Sequence, residues 1–261
     1  MISEARVRTL ARQDGVTAGL AEKNYVNSWI LYALYRSDID GLVFKGGTAL
    51  SKLYFPELWR FSEDLDFTAT EDISDLPSRL ETAINGIEGR SGIRFEITSY
   101  HEAGTPVEYL QVKIQYDAVL GQRNTTDLDI TFAEPLAFQP VEHTHRFEDV
   151  PEFQLSAYSV EEIFVEKLRS IYQRARARDY YDLYRLMEHH EFESDVIADA
   201  LRTKASSQDV ELRLDTGIPD GDREAVEAYW DRALDRLVTE KPEFDRVVEQ
   251  VDTYLKRLSD R

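Results

Sequence analysis

Apolar and polar positions divide the chain into a mixed first half and a helical second half. Over residues 3–13 the spacing predicts a short helix. Over 20–36 it predicts a longer one, with Leu20, Tyr25, Trp29, Leu31, Leu34 and Tyr35 at near-helical intervals. Both are expected to pack on the core from outside. Residues 41–44 form a short apolar run of the kind that makes a buried strand. The chain breaks at Gly46-Gly47, and Thr48 opens an amphipathic segment through Leu50, Leu53 and Tyr54. A second strand-like run ends in Asp64-Leu65-Asp66-Phe67, followed by a polar loop and a helix from about Leu76 to Gly86. Three alternating runs, 93–100, 109–116 and 126–132, read as strands, the last two separated by 121–124 as in a hairpin. A second region begins near Pro151. Ser159 and Glu162 match a capping box and open a helix carrying Ile163, Phe164, Leu168, Ile171 and Tyr172. Further helices are expected at about 193–206, 222–238 and 243–258, with a loop over 215–221.

Composition narrows this picture. A chain of 261 residues with 42% hydrophobic and 11% aromatic content can bury one large or two modest cores. The absence of cysteine excludes disulfides and zinc-thiolate sites. The first fifteen residues lack an apolar signal core and no run approaches membrane-spanning length, so a cytoplasmic protein with no membrane partner is expected. Net charge is −19, with 23 Arg against 8 Lys. Such a surface fits either adaptation to high salt or an ordinary acidic protein. It opposes nucleic-acid binding at low ionic strength, but at molar salt a Debye length of ~3 Å leaves the decision to local basic patches.

The chemistry concentrates between residues 43 and 67. Strand periodicity puts Asp64 and Asp66 on one side, with Leu65 and Phe67 on the other. Two carboxylates projecting together repel unless a cation lies between them, and hard oxygen donors suit Mg²⁺ or Mn²⁺. Gly46-Gly47 before a helix offer open backbone N–H groups, where a phosphate is favourably held. Each half alone reads equally well as a helix start or as two solvated aspartates. In this order they indicate metal-dependent phosphoryl or nucleotidyl transfer. Asp129, two residues after Asp127 and flanked by Leu128 and Ile130, is the candidate third carboxylate, though both aspartates also read as ordinary exposed strand residues. His143 and His145 lack partners for a ligand set and read as neutral loop histidines, and His101, His189 and His190 give no stronger case for a metal. In the second region Lys167, Arg169, Arg174, Arg176 and Arg178 reverse the sign of the chain, and Asp179 and Asp182 fall within one helical turn.

The central stretch resembles the nucleotidyltransferase superfamily that includes DNA polymerase beta, and within it the AbiEii/AbiGii toxin family. The resemblance rests on Lys45-Gly46-Gly47-Thr48, Ala49-Leu50 and Ser51, then on Arg60, Ser62, Asp64 and Asp66. Thr48, where the wider superfamily has serine, and the long gap to Asp64 point to the toxin branch. It extends to Lys167 and to Arg176, Arg178, Asp179, Tyr181, Asp182 and Leu183, and fades after about residue 186.

The resemblance implies an α/β (α+β) fold, with a nucleotidyltransferase core on a mixed β-sheet over 1–150 and a mainly helical C-terminal domain over 151–261 that completes the nucleotide cleft. It implies Asp64 and Asp66, with Asp129, as ligands of Mg²⁺ (or Mn²⁺), and Gly46, Gly47, Thr48, Ser62 and Lys167 at the nucleotide. Asp64, Asp66, Lys167 and Asp179 would be catalytic, with Asp182 the competing choice for Asp179. The implied activity is NMP transfer from an NTP to an acceptor, RNA or tRNA, by the toxin of a type IV toxin–antitoxin or phage-defence pair with an antitoxin encoded nearby. A small-molecule or protein acceptor, and a non-catalytic nucleotide- or RNA-binding protein of the same fold, are the alternatives.

Overall fold

The computed structural model describes residues 1–56, 60–132, 134–218, 220–238 and 240–259. Pro219, inside the loop expected over 215–221, lies outside them. The chain forms two compact units, one of residues 1–134 and 140–157, the other of 135–139 and 158–261.

The first unit holds a seven-stranded mixed sheet, ordered β3-β4-β5-β2-β1-β7-β6. Its strands are β1 (Leu42–Lys45), β2 (Leu65–Ala69), β3 (Arg94–Ala103), β4 (Tyr109–Asp117), β5 (Arg123–Phe132), β6 (Val141–Phe147) and β7 (Val150–Ala157). β2 lies antiparallel to β1 and parallel to β5, so the two central strands bring distant segments side by side. The rings of Phe44 and Phe67 meet across β1 and β2, 5.3 Å between centroids.

α1 (Glu4–Gln13) is capped by Ser3, whose side chain accepts from the Arg6 amide, and α2 (Ala18–Tyr35) is capped in the same way by Thr17. α1 lies outside with a small apolar stripe of Val7, Leu10 and Ala11. α2, expected outside as well, is instead sunk in the core. Tyr25, Val26, Trp29, Ile30, Leu31 and Leu34 are all fully buried, apolar positions running round the helix rather than down one face. The Tyr35 hydroxyl donates toward the carbonyls of Leu42 and Ser156, fastening the end of α2 to β1 and β7. α3 (Gly46–Ala49) continues as a π-helical turn over Leu50–Tyr54, and α4 (Leu76–Gly86) and α5 (Glu88–Ser91) follow β2.

The structure adds a hairpin, β6–β7, that the apolar pattern does not signal, and it places His143 and His145 on the first strand rather than in a loop. β6 is an edge strand of sequence VEHTHRF, mostly exposed, so it carries no apolar alternation to betray it. His143 contacts the Tyr54 hydroxyl at 2.9 Å. His145 is buried against Ser28 at 3.2 Å, and burial with Lys52 nearby pushes its pKa down to about 3, so it stays neutral.

The second unit is built from α6 (Val160–Arg174), α7 (Ala177–His189), α8 (Ser194–Ser207), α9 (Asp220–Leu234) and α10 (Phe244–Ser259). Ser159 caps α6 by accepting the Glu162 amide at 3.2 Å. Glu162 does not complete the capping box. Its carboxylate accepts the amides of Ala137 and Phe138 at 2.9 and 2.8 Å and the Lys204 ammonium at 2.5 Å. A fully buried ion pair of this kind survives because both partners are hydrogen-bonded. α10 buries Val247, Val248, Val251, Tyr254, Leu255 and Leu258 on one face, and Tyr254 meets Phe164 of α6 at 5.2 Å between ring centroids.

Candidate active site

β2 and β5 run parallel in register, with Leu65 opposite Leu128 and Asp66 opposite Asp129. Thr126, Leu128 and Ile130 point into the core, so Asp127 and Asp129 take the other face, as Asp66 does beside Leu65 and Phe67. Lys45, the last residue of β1, pairs with Asp66 from the other side. The two carboxylates nominated from sequences sixty residues apart are therefore cross-strand neighbours.

The glycines explain themselves at this point. Gly46 has φ +79°, and a Cβ there would lie 2.5 Å from Asp66 Oδ2. A Cβ on Gly47 would lie 2.6 Å from the Arg60 guanidinium and 3.1 Å from Ser62 Oγ. The Gly-Gly pair is the condition for packing the start of α3 against the segment that carries Arg60, Ser62, Asp64 and Asp66. Thr48 Oγ1 donates to the Asp64 carbonyl at 2.5 Å, and Asn27 and Thr126 donate to the Glu63 carbonyl at 2.8 and 3.2 Å. The backbone leading into Asp64 is thus gripped from α2, α3 and β5 together. Beneath it the buried Lys45 ammonium is held by Glu134 at 2.8 Å and Thr131 at 2.9 Å.

The electrostatics carry the cost of this crowding. Burial raises the pKa of Asp64; Lys23 opposes the rise, while Asp127, Glu63 and Asp129 add to it. A half-buried carboxylate among like charges is a place that favours a cation. Among the described residues, no three His, Asp or Glu side chains converge closely enough to hold a metal as they stand. Asp129 Oδ1 accepts the Tyr109 hydroxyl and the Gln111 amide, the latter at 3.0 Å. The donor set of hard carboxylate oxygens still fits Mg²⁺ or Mn²⁺ in chemistry. Tyr109 and Gln111 escaped the sequence reading, although the register of the β4–β5 hairpin, Gln111 opposite Asp129, points to them.

In the second unit α6 and α7 meet through ions. Lys167 Nζ lies 2.7 Å from Asp179 Oδ1 and 3.0 Å from Asp182 Oδ2, all three side chains buried. Ala175, at φ +39°, turns the chain sharply between the helices. Arg174 then reaches Asp179 through Nε at 3.0 Å. Burial works against the Asp179 charge, yet Lys167 and Arg174 prevail and hold its pKa down to about 2. Both aspartates that competed for one role are hence bound by the same lysine.

Comparison with known proteins agrees with this fold. MenT4, a nucleotidyltransferase toxin of Mycobacterium tuberculosis H37Rv, superposes with a TM-score of 0.74 at 21% identity, covering 100% of this chain and 91% of that one. JHP933 of Helicobacter pylori gives 0.60 at 21% identity, covering 94% of each chain. A comparison with curated protein sequences gives no match. The family described as nucleotidyl transferase AbiEii toxin, type IV toxin–antitoxin system, matches residues 29–257. With the glycine pair packed on a carboxylate-bearing strand and a match across most of its length, the chain belongs to the AbiEii family of nucleotidyltransferase toxins.

Proposed function

We propose that this chain transfers an NMP from an NTP to an RNA acceptor, tRNA included, releasing pyrophosphate, as the toxin of a type IV toxin–antitoxin or phage-defence pair with a cognate antitoxin. The observation that supports this most is the placement of Asp66 beside Asp129 with Gly46 packed on Asp66. In this reading Asp64, Asp66 and Asp129 hold Mg²⁺ or Mn²⁺, which when bound would offset charge on the triphosphate and lower the pKa of the attacking hydroxyl. The chain's own part is to position. The backbone amides of Gly46 and Gly47, with Ser62 alongside, are assigned to phosphate oxygens, and a side chain on either glycine would collide with Asp66 or Arg60. Thr48 serves by fixing the Asp64 backbone through its hydroxyl. Lys167, oriented by Asp179 and Asp182, is assigned to the triphosphate, and Asp179 to the acceptor.

The test is product labelling. Incubation with α-³²P-NTPs, Mn²⁺ and total RNA should label RNA and release pyrophosphate, and the Asp64→Asn, Asp66→Asn protein should do neither. Label arriving from γ-³²P instead would overturn nucleotidyl transfer. Label on protein or on small molecules, with none on RNA, would replace the acceptor with one of those classes.

A further inference from the structure

The first unit contains a cavity of about 440 Å³ far along the sheet from the carboxylates, between the end of α2, the segment 36–39 and helices α4 and α5. β1 runs from Leu42, opposite Ala69, to Lys45, opposite Asp66. The cavity lies before Leu42 and the carboxylates lie at Lys45, so roughly 10 Å of strand or more separates them. Its size is that of a small-molecule site.

Its lining is unusual for a chain of −19. Arg36, Arg79 and Arg90 all face it, against the single carboxylate of Asp38. Two of the three guanidinium groups are fixed by neutral acceptors. Arg79 donates to the Asp38 carbonyl at 2.9 Å, and Arg90 donates to the Tyr32 hydroxyl at 2.8 Å while lying over the Tyr32 ring at 5.4 Å. Among the described residues, none of the three forms an ion pair with a carboxylate. Arg79 and Arg90 are therefore held in place with their charge left in force, in a protein that has acidic side chains to spare. Hydroxyls of Ser78 and Thr82 stand beside them, and Ile39 and Ile87 supply an apolar wall.

We infer that this cavity is a second ligand site, separate from the transferase centre, that takes a phosphorylated small molecule of nucleotide size. Guanidinium groups fixed in a fork recognise phosphate oxygens pairwise, and more than one of them calls for a multiply charged group such as a diphosphate. The apolar wall accommodates an uncharged body attached to it. The inference does not depend on the nucleotidyl-transfer reading, since no residue is shared between the two sites.

The experiment is calorimetric titration of the full chain with ADP and with inorganic pyrophosphate, in EDTA so that metal-assisted binding at the carboxylates is suppressed. Saturable binding of ADP is expected in the wild type and in Asp64→Asn, Asp66→Asn. The dissociation constant should rise roughly tenfold or more in Arg79→Gln, Arg90→Gln, as lost charged hydrogen bonds require. All three arginines are exposed, and Arg79→Lys, Arg90→Lys, which keeps the charge without the fork, should fall between. An unchanged thermal midpoint in the glutamine variant would show that the fold is intact. Binding equal in wild type and glutamine variant, binding lost in the aspartate double variant, or no saturation by either ligand would each overturn the site. Arginine-dependent binding of single-stranded RNA with no binding of ADP would replace it with a nucleic-acid contact.

Discussion

Gly46 is where backbone geometry and site chemistry meet in one residue. Its φ of +79° penalises any L side chain, and a Cβ would press on Asp66 Oδ2 from 2.5 Å. Gly46→Ala should lower stability by about 1–2 kcal/mol and abolish transfer, because Asp66 must move. Gly19, with nothing within 4 Å of its Cβ position and ordinary helical backbone, is the control. Gly19→Ala should be neutral or stabilising by up to about 1 kcal/mol with activity intact. Urea unfolding and product labelling on both variants decide this, and an active Gly46→Ala protein would remove the packing argument. A second residue-scale consequence concerns acid. Asp179 titrates at about 2 when folded, against an ordinary 3.8. Between those values the unfolded chain binds more protons, so stability present above about pH 4 is lost as pH falls towards 2. The contribution is about 2 kcal/mol. Urea midpoints measured from pH 6 down to pH 2.5 should fall less steeply in Asp179→Asn than in wild type, and parallel curves would contradict the Lys167–Asp179 geometry.

At the scale of elements, the β4–β5 hairpin governs Asp129, the proposed third metal ligand. Tyr109 and Gln111 lie on the polar face of β4 and both donate to one oxygen of Asp129. Groups that orient a ligand from behind commonly set its affinity by ten- to a hundredfold. Tyr109→Phe should therefore raise the Mn²⁺ concentration for half-maximal transfer roughly tenfold while far-UV circular dichroism stays unchanged. An unaltered metal requirement would show that Asp129 acts without its strand partner. The same hairpin marks what sequence can reveal. Alternation in YLQVKIQY and TDLDITF was legible because each strand has one buried face, and Leu76–Gly86 was legible to its ends. Strand β6 was not, since an exposed edge strand needs no apolar period. Nor was the depth of α2, because a helix buried all round loses the one-sided stripe that distinguishes outside from inside. The motif residues were legible as chemistry, but their partners were not. Thr48 is turned to the Asp64 carbonyl and Lys167 to two aspartates, contacts set by tertiary register rather than by local spacing.

For the molecule as a whole the governing quantity is charge. Fifty acidic residues against thirty-one basic ones leave −19, and most of the excess lies on exposed side chains that repel one another. Salt bridges do not cancel this. Pairs such as Lys241 with Asp231 and Asp235, or Arg223 with Asp245, are solvent-exposed and contribute little apiece. Raising the salt screens both the repulsion and these attractions, but the repulsive pairs are the more numerous, so the balance favours the folded state. The thermal midpoint should therefore rise between ~0.1 M and ~1 M KCl, over which the Debye length falls from ~10 Å to ~3 Å. The buried pairs Glu162–Lys204 and Lys45–Glu134 are shielded from the solvent and should not weaken over that range. RNA labelling should persist at ~1 M KCl, because the same screening removes the long-range field that drives RNA from an acidic surface. A thermal midpoint that falls steadily with KCl would mean that exposed attractive pairs outweigh the net repulsion, and net charge would not govern the stability of this surface.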